Sequence, residues 1–478
     1  MIGPSWAQLC GIALLLLNVP SAAHALDIKV DDRGSSIEEP PEKETDLLMV
    51  IWLDSVIKAG KDVAAPMMKF YHQNVSVTGI PGKLDETWYV AASMFMTWIQ
   101  FASASNVDTY DDVVSHDLMF QAGDDYNYFD SNYSKDIGND DQMFWGLATI
   151  TASETGFKEV KGKPSWTSLA RAVFNMMADR WDGECGGGSR WQIWQIKNGF
   201  NLKNSISNGG FFALAARLGL FTKNETYADW ANKIWDWSQD SPLVNNHTWY
   251  VCDSTNTADG CKGGDRTQWS YNYGSYILGA AFMYKHTKGD DIWLKRVNGL
   301  LDTTFKTFYP KKYGGNIVSD VNCEPVNHCN RNELCFKGYL SMWLASTAIL
   351  VPSTHDRILP KLQGSLEAIA KICSGESDDL CGMRWYEDHW DGMKGMEVQM
   401  AALGGITGRL MLMGDVKGPK NIDTNPGGKE EAIDTDGNSS KDISSRRITT
   451  GDKAGAWIFG VLTMALAVGG AVWLLWAA

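Results

Sequence analysis

Residues 358–372 read Ile-Leu-Pro-Lys-Leu-Gln-Gly-Ser-Leu-Glu-Ala-Ile-Ala-Lys-Ile. Ile358, Leu362, Leu366, Ile369 and Ile372 recur every three or four positions, the spacing that lines up side chains on one face of an α-helix. Tyr227, Trp230, Ile234 and Trp237 repeat the pattern, as do Leu169, Val173, Phe174 and Met177. Working outward, such segments begin near residues 46, 86, 112, 140, 166, 203, 226, 269, 290, 335, 357 and 394. Loops of Gly, Asn, Asp and Lys separate them, and runs of alternating strand residues are few. Consecutive helices joined by loops pair as antiparallel hairpins. Twelve helices make six hairpins, and six hairpins can close into a ring. The expected fold is therefore all-α, an (α/α)6 barrel of six helical hairpins. Periodicity by itself supports the all-α class more strongly than ring closure.

Both ends of the 478-residue chain read as processing signals. Cys10 to Val19 is mostly apolar and precedes the small-residue site Ser21-Ala22-Ala23-His24-Ala25, so residues 1–25 are expected to be a signal peptide, although no Lys or Arg precedes the apolar run. Residues 456–478 are apolar and uncharged, long enough to span a bilayer. The polar linker before them, 416–455, completes a signal for a glycolipid (GPI) anchor, with Asn438, Ser444 and Gly451 as candidate attachment residues. A buried first helix and an ordinary tail anchor are the competing readings. The leader favours the lipid anchor, because a tail-anchored protein needs no leader. Residues 26–45, charged and containing Pro40-Pro41, read as a disordered lead-in. That leaves 46–415 as one large domain, expected to be secreted and held at the extracellular face of the plasma membrane or in the cell wall.

Other features bound the function. The eight cysteines after the leader suit an oxidising compartment: Cys185, Cys252, Cys261, Cys323, Cys329, Cys335, Cys373 and Cys381. Sequence proximity suggests the pairs Cys252/Cys261 and Cys373/Cys381. N-x-S/T sequons at Asn74, Asn132, Asn224, Asn246 and Asn438 mark expected glycan-bearing surface loops. The formal charge of −14, with no basic patch, argues against nucleic acid. No metal or cofactor is expected. The eight histidines show no paired spacing, and Asp434-Thr435-Asp436-Gly437-Asn438 misplaces the Gly of a calcium loop and has Ser445 at its twelfth position.

Twenty-one tryptophans are many. Trp191, Trp194, Trp269, Trp385 and Trp390 fall in loops or at helix ends, where aromatic faces can stack on sugar rings. Trp230, Trp237 and Trp343 sit at helical spacing and read as core. Cleaving a glycosidic bond takes two carboxyl groups, one to protonate the leaving oxygen and one near the anomeric carbon. Asp140-Asp141 can supply both. Asn139 reads as the N-cap, with Gln142 closing a capping box and Met143, Phe144, Leu147 and Ile150 forming the buried face. Neighbouring helical side chains point about 100° apart, so the two can flank one bond. The helix N-terminus favours both ionised forms, while mutual repulsion splits their pKa values, as an acid and a nucleophile require. Locally the pair is also an ordinary helix start, as are Asp111-Asp112 and Asp124-Asp125.

The wider pattern distinguishes this pair. The segments Gly138-Asn139-Asp140-Asp141-Gln142-Met143-Phe144-Trp145-Gly146, Cys185-Gly186-Gly187-Gly188-Ser189-Arg190-Trp191-Gln192, Lys203-Asn204-Ser205-Ile206-Ser207-Asn208-Gly209-Gly210-Phe211-Phe212, Gln268-Trp269-Ser270-Tyr271-Asn272-Tyr273-Gly274 and Phe336-Lys337-Gly338-Tyr339-Leu340 occur in that order. Together they resemble glycoside hydrolase family 76, in particular its fungal GPI-anchored cell-wall branch of mannan endo-1,6-α-mannosidase-like proteins. The resemblance runs from about residue 54 to 407. It implies an (α/α)6 barrel, retention of anomeric configuration, and α-1,6-linked mannose as substrate, with Asp140 as nucleophile and Asp141 as acid/base. It further implies processing of the GPI mannose core and transfer of wall glycoproteins to a β-glucan acceptor. Plain endo-α-1,6-mannanase activity and a non-catalytic glycan-binding wall protein are the alternatives.

Beside the dyad, Asn139, Gly187, Gly188, Arg190, Trp191, Gln192, Lys203, Asn204, Asn208, Tyr271, Asn272, Tyr273 and Lys337 are the expected substrate-binding residues. Glycines let a ligand approach the backbone, amides and cations donate to hydroxyls, and Tyr271 offers a stacking face. Tyr273 reads equally well as core. Helix capping competes as a role for Asn208. Where the resembled branch commonly carries a Trp-Glu-Ala-Gly-like run, this chain reads Trp88-Tyr89-Val90-Ala91, without a carboxylate. Cys335 before Phe336 is a second departure.

Overall fold

The computed structural model describes residue 26 and residues 42–84, 87–129, 135, 137–376 and 379–414. The expected signal peptide, the GPI linker and tail, Asn132, Asn438 and the 434–438 loop lie outside the described residues. Among the described residues, twelve α-helices run in order: α1 Glu42–Thr78, α2 Trp88–Ser105, α3 Asp111–Phe120, α4 Asn139–Thr155, α5 Trp166–Asp179, α6 Ser205–Thr222, α7 Glu225–Asp240, α8 Ser270–His286, α9 Asp291–Phe308, α10 Phe336–Leu350, α11 His355–Ile372 and α12 Met396–Leu410. The first begins four residues before the expected boundary, inside the supposed lead-in, and Leu26 is buried in the core.

The even-numbered helices pack side by side in a closed ring, each against the next and α12 back against α2. The odd-numbered helices pack outside them. This is the (α/α)6 barrel. Outer helices α5, α7, α9 and α11 carry one apolar stripe each, which produced the clean sequence periods. Inner helices are buried on nearly every side: α6 is buried from Ser205 to Gly219. Such a helix needs small residues where it meets its neighbours. A Cβ on Gly338 of α10 would lie 2.7 Å from the Ala401 Cα of α12, so the two backbones touch there.

Side-chain caps start several helices: Ser165 accepts from Ser168 N–H, Asn204 from Ser207, Asn224 from Thr226 and Asp290 from Ile292. Each satisfies an N–H that the helix leaves open, worth about 1 kcal/mol. Between α4 and α6 a buried pair, Arg217 and Glu154, is joined by two hydrogen bonds of 2.7 and 3.1 Å. Two small sheets lie in the loops, β1 Leu202–Asn204 with β2 Ser254–Asn256 and β3 Gly264–Asp265, and β4 Cys373–Gly375 with β5 Leu380–Cys381. Of the described sequons, Asn224 and Asn246 are exposed. Asn74 is not in a loop: it lies in α1, with its amide donating to the Phe70 carbonyl.

Cys373–Cys381 forms the expected disulfide. Cys252/Cys261 does not form. Cys261 instead bridges 76 residues back to Cys185, and Cys323 pairs with Cys329. Cys252 is a buried free thiol that packs against Gly264 of the neighbouring strand, while Cys261 sits in a left-handed turn reaching the 184–188 loop.

Candidate active site

The inner helices converge at their N-termini. There Tyr89 of α2 packs on Phe144 of α4 with ring centroids 5.0 Å apart, and Phe144 meets Tyr339 of α10 at 5.5 Å. Tyr271 of α8 stacks on Phe336 of α10 at 3.7 Å and 4°.

Asp140 and Asp141 occupy the first turn of α4 in this ring. The cap lies one residue earlier than the sequence suggested. Gly138 is the N-cap, and Asp141, not Gln142, closes the box: its Oδ2 accepts the Gly138 N–H at 2.6 Å. Asn139 and Gln142 are buried and engaged elsewhere. The Asn139 N–H donates to the Trp191 carbonyl at 2.9 Å and its amide to the Arg190 carbonyl at 2.9 Å, while Arg180 donates to both Asn139 and Gln142. These bonds strap the 190–192 segment across the helix start, with Gly138 bridged to Gln192. The strap requires Asn139 inside the helix and so displaces the cap.

Gly138 is there for space. A Cβ at this position would lie 2.4 Å from Asp140 Oδ1 and 3.2 Å from both Asp141 Oδ2 and the Trp191 carbonyl. The two carboxylates therefore crowd one point, half-buried, with solvent on one side and protein on the others. Burial raises both pKa values. Asp141 rises to about 6, held back by the Gly138 N–H. Asp140 rises well above the carboxylate range through burial and then repulsion from Asp141, opposed by backbone N–H groups and the Trp191 indole. The Tyr271 hydroxyl feels the charges of both Asp253 and Asp140, and Tyr89 that of Asp141, so these groups share the site.

Of the residues expected to bind substrate, Trp191 and Tyr271 lie at the dyad, and Gln192 is half-buried beside it. The structure commits the others to protein contacts. Gly187 and Gly188 have φ of +148° and +96°, and a Cβ would strike Trp181 at the first and Trp237 at the second, so they serve packing rather than ligand approach. Arg190 spends its guanidinium on Asp182, Glu184 Oε2 (2.8 Å), the Phe200 carbonyl (3.0 Å) and Thr257 (3.3 Å). Lys203 is fully buried and donates to the Gly187, Glu184 and Asp182 carbonyls at 2.5, 2.6 and 3.4 Å; burial lowers its pKa to about 8. Asn204 caps α6, and Asn208 ties the loop to that helix through both Ser189 backbone groups. Asn272 donates to Asp253 at 3.0 Å. Tyr273 is core, with its hydroxyl bonded to the Val251 N–H and Gln268. Lys337 is buried in an ion pair with Glu324 at 2.9 Å.

Gly138, Tyr89 and Asp253 belong to the site and were not singled out in the sequence. Tyr89 follows Trp88, where the resembled branch has its carboxylate; its ring packs on Phe144, its hydroxyl donates to Asn332 at 3.1 Å, and burial above all raises its pKa, with a small contribution from the Asp141 charge. Asp253 is half-buried, and burial raises its pKa; its signal was hidden in a loop with no helical period. Among the described residues, one cluster has metal-ligand chemistry: Cys323, Cys329 and Glu333. The disulfide between its two cysteines removes the thiolates a metal would need.

The model of glycosyl hydrolase family 76 matches residues 55–422. The chain is 35% identical to the mannan endo-1,6-alpha-mannosidase DFG5 of Candida albicans, over 97% of this chain and 98% of that protein. The crystal structure of Dfg5 from Chaetomium thermophilum, in complex with glucosamine, is similar at 33% identity and TM-score 0.73, covering 78% of this chain and 93% of that one. The α-1,6-mannanase GH76A of Salegentibacter sp. HEL1_6 shares the fold at 18% identity and TM-score 0.60, over 74% of this chain and 99% of that one. That structure is of an inactive variant, with two adjacent aspartates replaced by alanine, in complex with α-1,6-mannotetrose.

Proposed function

Because the chain belongs to glycosyl hydrolase family 76, we propose that it is a retaining glycosidase or transglycosidase of α-1,6-mannosidic linkages, with Asp140 as nucleophile and Asp141 as general acid/base. The observation that carries this reading is the crowding beside Gly138. Two oxygens that lie 2.4 and 3.2 Å from one point are closer together than the roughly 6.5–9.5 Å of inverting pairs, which must admit a water between them. A pair this tight suits direct attack and a covalent glycosyl intermediate.

In the first step the Asp140 carboxylate attacks the anomeric carbon while Asp141 protonates the leaving oxygen. In the second, Asp141 takes a proton from the incoming hydroxyl, which displaces Asp140. In the free protein, burial and mutual repulsion favour one proton shared between the two carboxyls. Substrate decides which of them carries it. A unit positive charge 4 Å from a carboxylate is worth about 4 kcal/mol at an effective dielectric of 20, about three pKa units. Even half of that, developing at the anomeric carbon beside Asp140, favours ionised Asp140 and directs the shared proton towards Asp141.

The biological reading follows the expected leader and anchor signals: a membrane-anchored enzyme outside the cell that cleaves the mannose core of GPI glycans and passes the fragment to a β-glucan acceptor. Simple hydrolysis of α-1,6-mannan is the second reading, favoured by the mannosidase names of the relatives. Product analysis with and without a glucan oligomer separates them. A mannosyl–glucan product supports transfer, and exclusive hydrolysis at saturating acceptor refutes it.

A further inference from the structure

A cavity of about 270 Å³ opens between the C-terminal half of α11 and the loops at 313–317 and 385–388. Its wall includes Tyr313, Trp385, Tyr386, Glu367, Lys371 and Glu387. Tyr313 and Tyr386 stack in parallel, 3.8 Å apart at 3°. Trp385 is buried to 1% exposure, and its indole N–H has no acceptor among the described residues. The nitrogen itself is shielded, so the ring backs the cavity wall and its N–H reports on what fills the space beside it. Packed residues connect the cavity to the dyad: the Lys337 ammonium lies 4.4 Å from the centre of the Trp385 ring, and the preceding residue, Phe336, stacks on Tyr271.

We propose that this cavity is a second sugar site, taking one hexopyranose unit of a glycan whose remote part lies at the dyad. The chemistry selects a sugar over other ligands. Aromatic rings cover the apolar face of a pyranose, and carboxylates accept its vicinal hydroxyls. Glu367 and Glu387 beside Lys371 disfavour phosphate. The volume lies just below the roughly 300–1,000 Å³ of drug-sized pockets, which suits a single ring. The site deepens the proposed reaction and rests on that reading: it holds an arm of the donor or of the acceptor away from the bond that breaks.

Tryptophan indole N–H resonances of the full chain test this, with Asp140→Asn/Asp141→Asn substituted so that sugars bind without reacting. Trp385→Phe and Trp191→Phe identify the two signals. α-1,6-Mannotriose and laminaritriose are titrated separately. The expected result is a Trp385 signal that shifts with one or both sugars, the responsive sugar identifying the arm as mannan or glucan. Glu367→Gln should weaken that response at least fivefold and leave the Trp191 response unchanged. The proposal is overturned if Trp385 stays fixed with both sugars while Trp191 saturates, or if Glu367→Gln leaves the response intact. Loss of the Trp191 response alone counts against the dyad reading and not against the cavity. If Trp385→Phe fails to fold, Tyr386→Phe, which perturbs the neighbouring indole, assigns the signal instead.

Discussion

Gly138→Ala isolates the role of the dyad's geometry from its charge. The backbone at Gly138, φ −87° and ψ 168°, suits any residue, so alanine introduces no torsional strain. The added Cβ would lie 2.4 Å from Asp140 Oδ1, where ordinary contact begins at 3.4 Å. The Asp140 carboxylate must therefore retreat by about 1 Å, and a displacement of that size costs about 100-fold in rate, or about 2.7 kcal/mol of activation free energy. Overpacking costs about 1–3 kcal/mol of stability, which a large barrel tolerates. Steady-state kinetics on α-1,6-mannotetraose should show kcat down about 100-fold with a folded, cooperatively melting protein. A variant with unchanged kcat would refute the reasoning, because the carboxylate positions described here would then not be the reactive ones.

Both dyad carboxyls have folded-state pKa values above their unfolded ones, so their ionisation destabilises the fold as pH rises from about 4 through 6 and above. Asp141, lifted from 3.8 to about 6, accounts for at most about 3 kcal/mol, and Asp141→Asn should gain stability over the parent at pH 7 but not at pH 4. Equal denaturation midpoints at both pH values would contradict the assigned burial effect. Asp253→Asn should raise KM for mannose oligomers about tenfold, the value of a charge-assisted hydrogen bond, with kcat and the acid limb of the pH profile unchanged; loss of kcat alone would argue against a binding role. Lys337→Met leaves Glu324 buried without its 2.9 Å partner, and breaking such a pair costs about 3–5 kcal/mol. A raised KM with an unchanged melting temperature would instead make Lys337 a substrate contact.

The fold was legible where a helix has one wet face. Ile358 to Ile372 shows its stripe because α11 lies outside the ring. The inner helices show no stripe, since α6 and α10 are buried on almost every side, yet their starts could be read from capping residues such as Asn204 and from the loops between them. The dyad's helix was legible and its cap was not: the strap from Trp191 to Asn139 joins residues far apart in sequence and shifts the cap to Gly138. Long-range geometry also hid the Cys185–Cys261 bridge, which local spacing misassigned to Cys252. Arg190, Lys203 and Asn208 carry the right chemistry for sugar hydroxyls, but the 182–190 loop needs the same donors for its own carbonyls and carboxylates. Their polarity stabilises the loop that carries Trp191 to Asp140. Tyr89 lies in a helix start that looks apolar, and only the convergence of inner helices brings it against Phe144 of the dyad's helix.

The central claim is that Asp140 and Asp141 act on an α-1,6-mannosidic bond. A crystal structure of the Asp140→Asn/Asp141→Asn chain with α-1,6-mannotetraose tests it most directly. The account predicts an anomeric carbon facing residue 140, its glycosidic oxygen within hydrogen-bond reach of residue 141, about 2.6–3.2 Å, and a mannose ring against Tyr271 or Trp191. A tetrasaccharide bound elsewhere, with the first turn of α4 untouched, would contradict it.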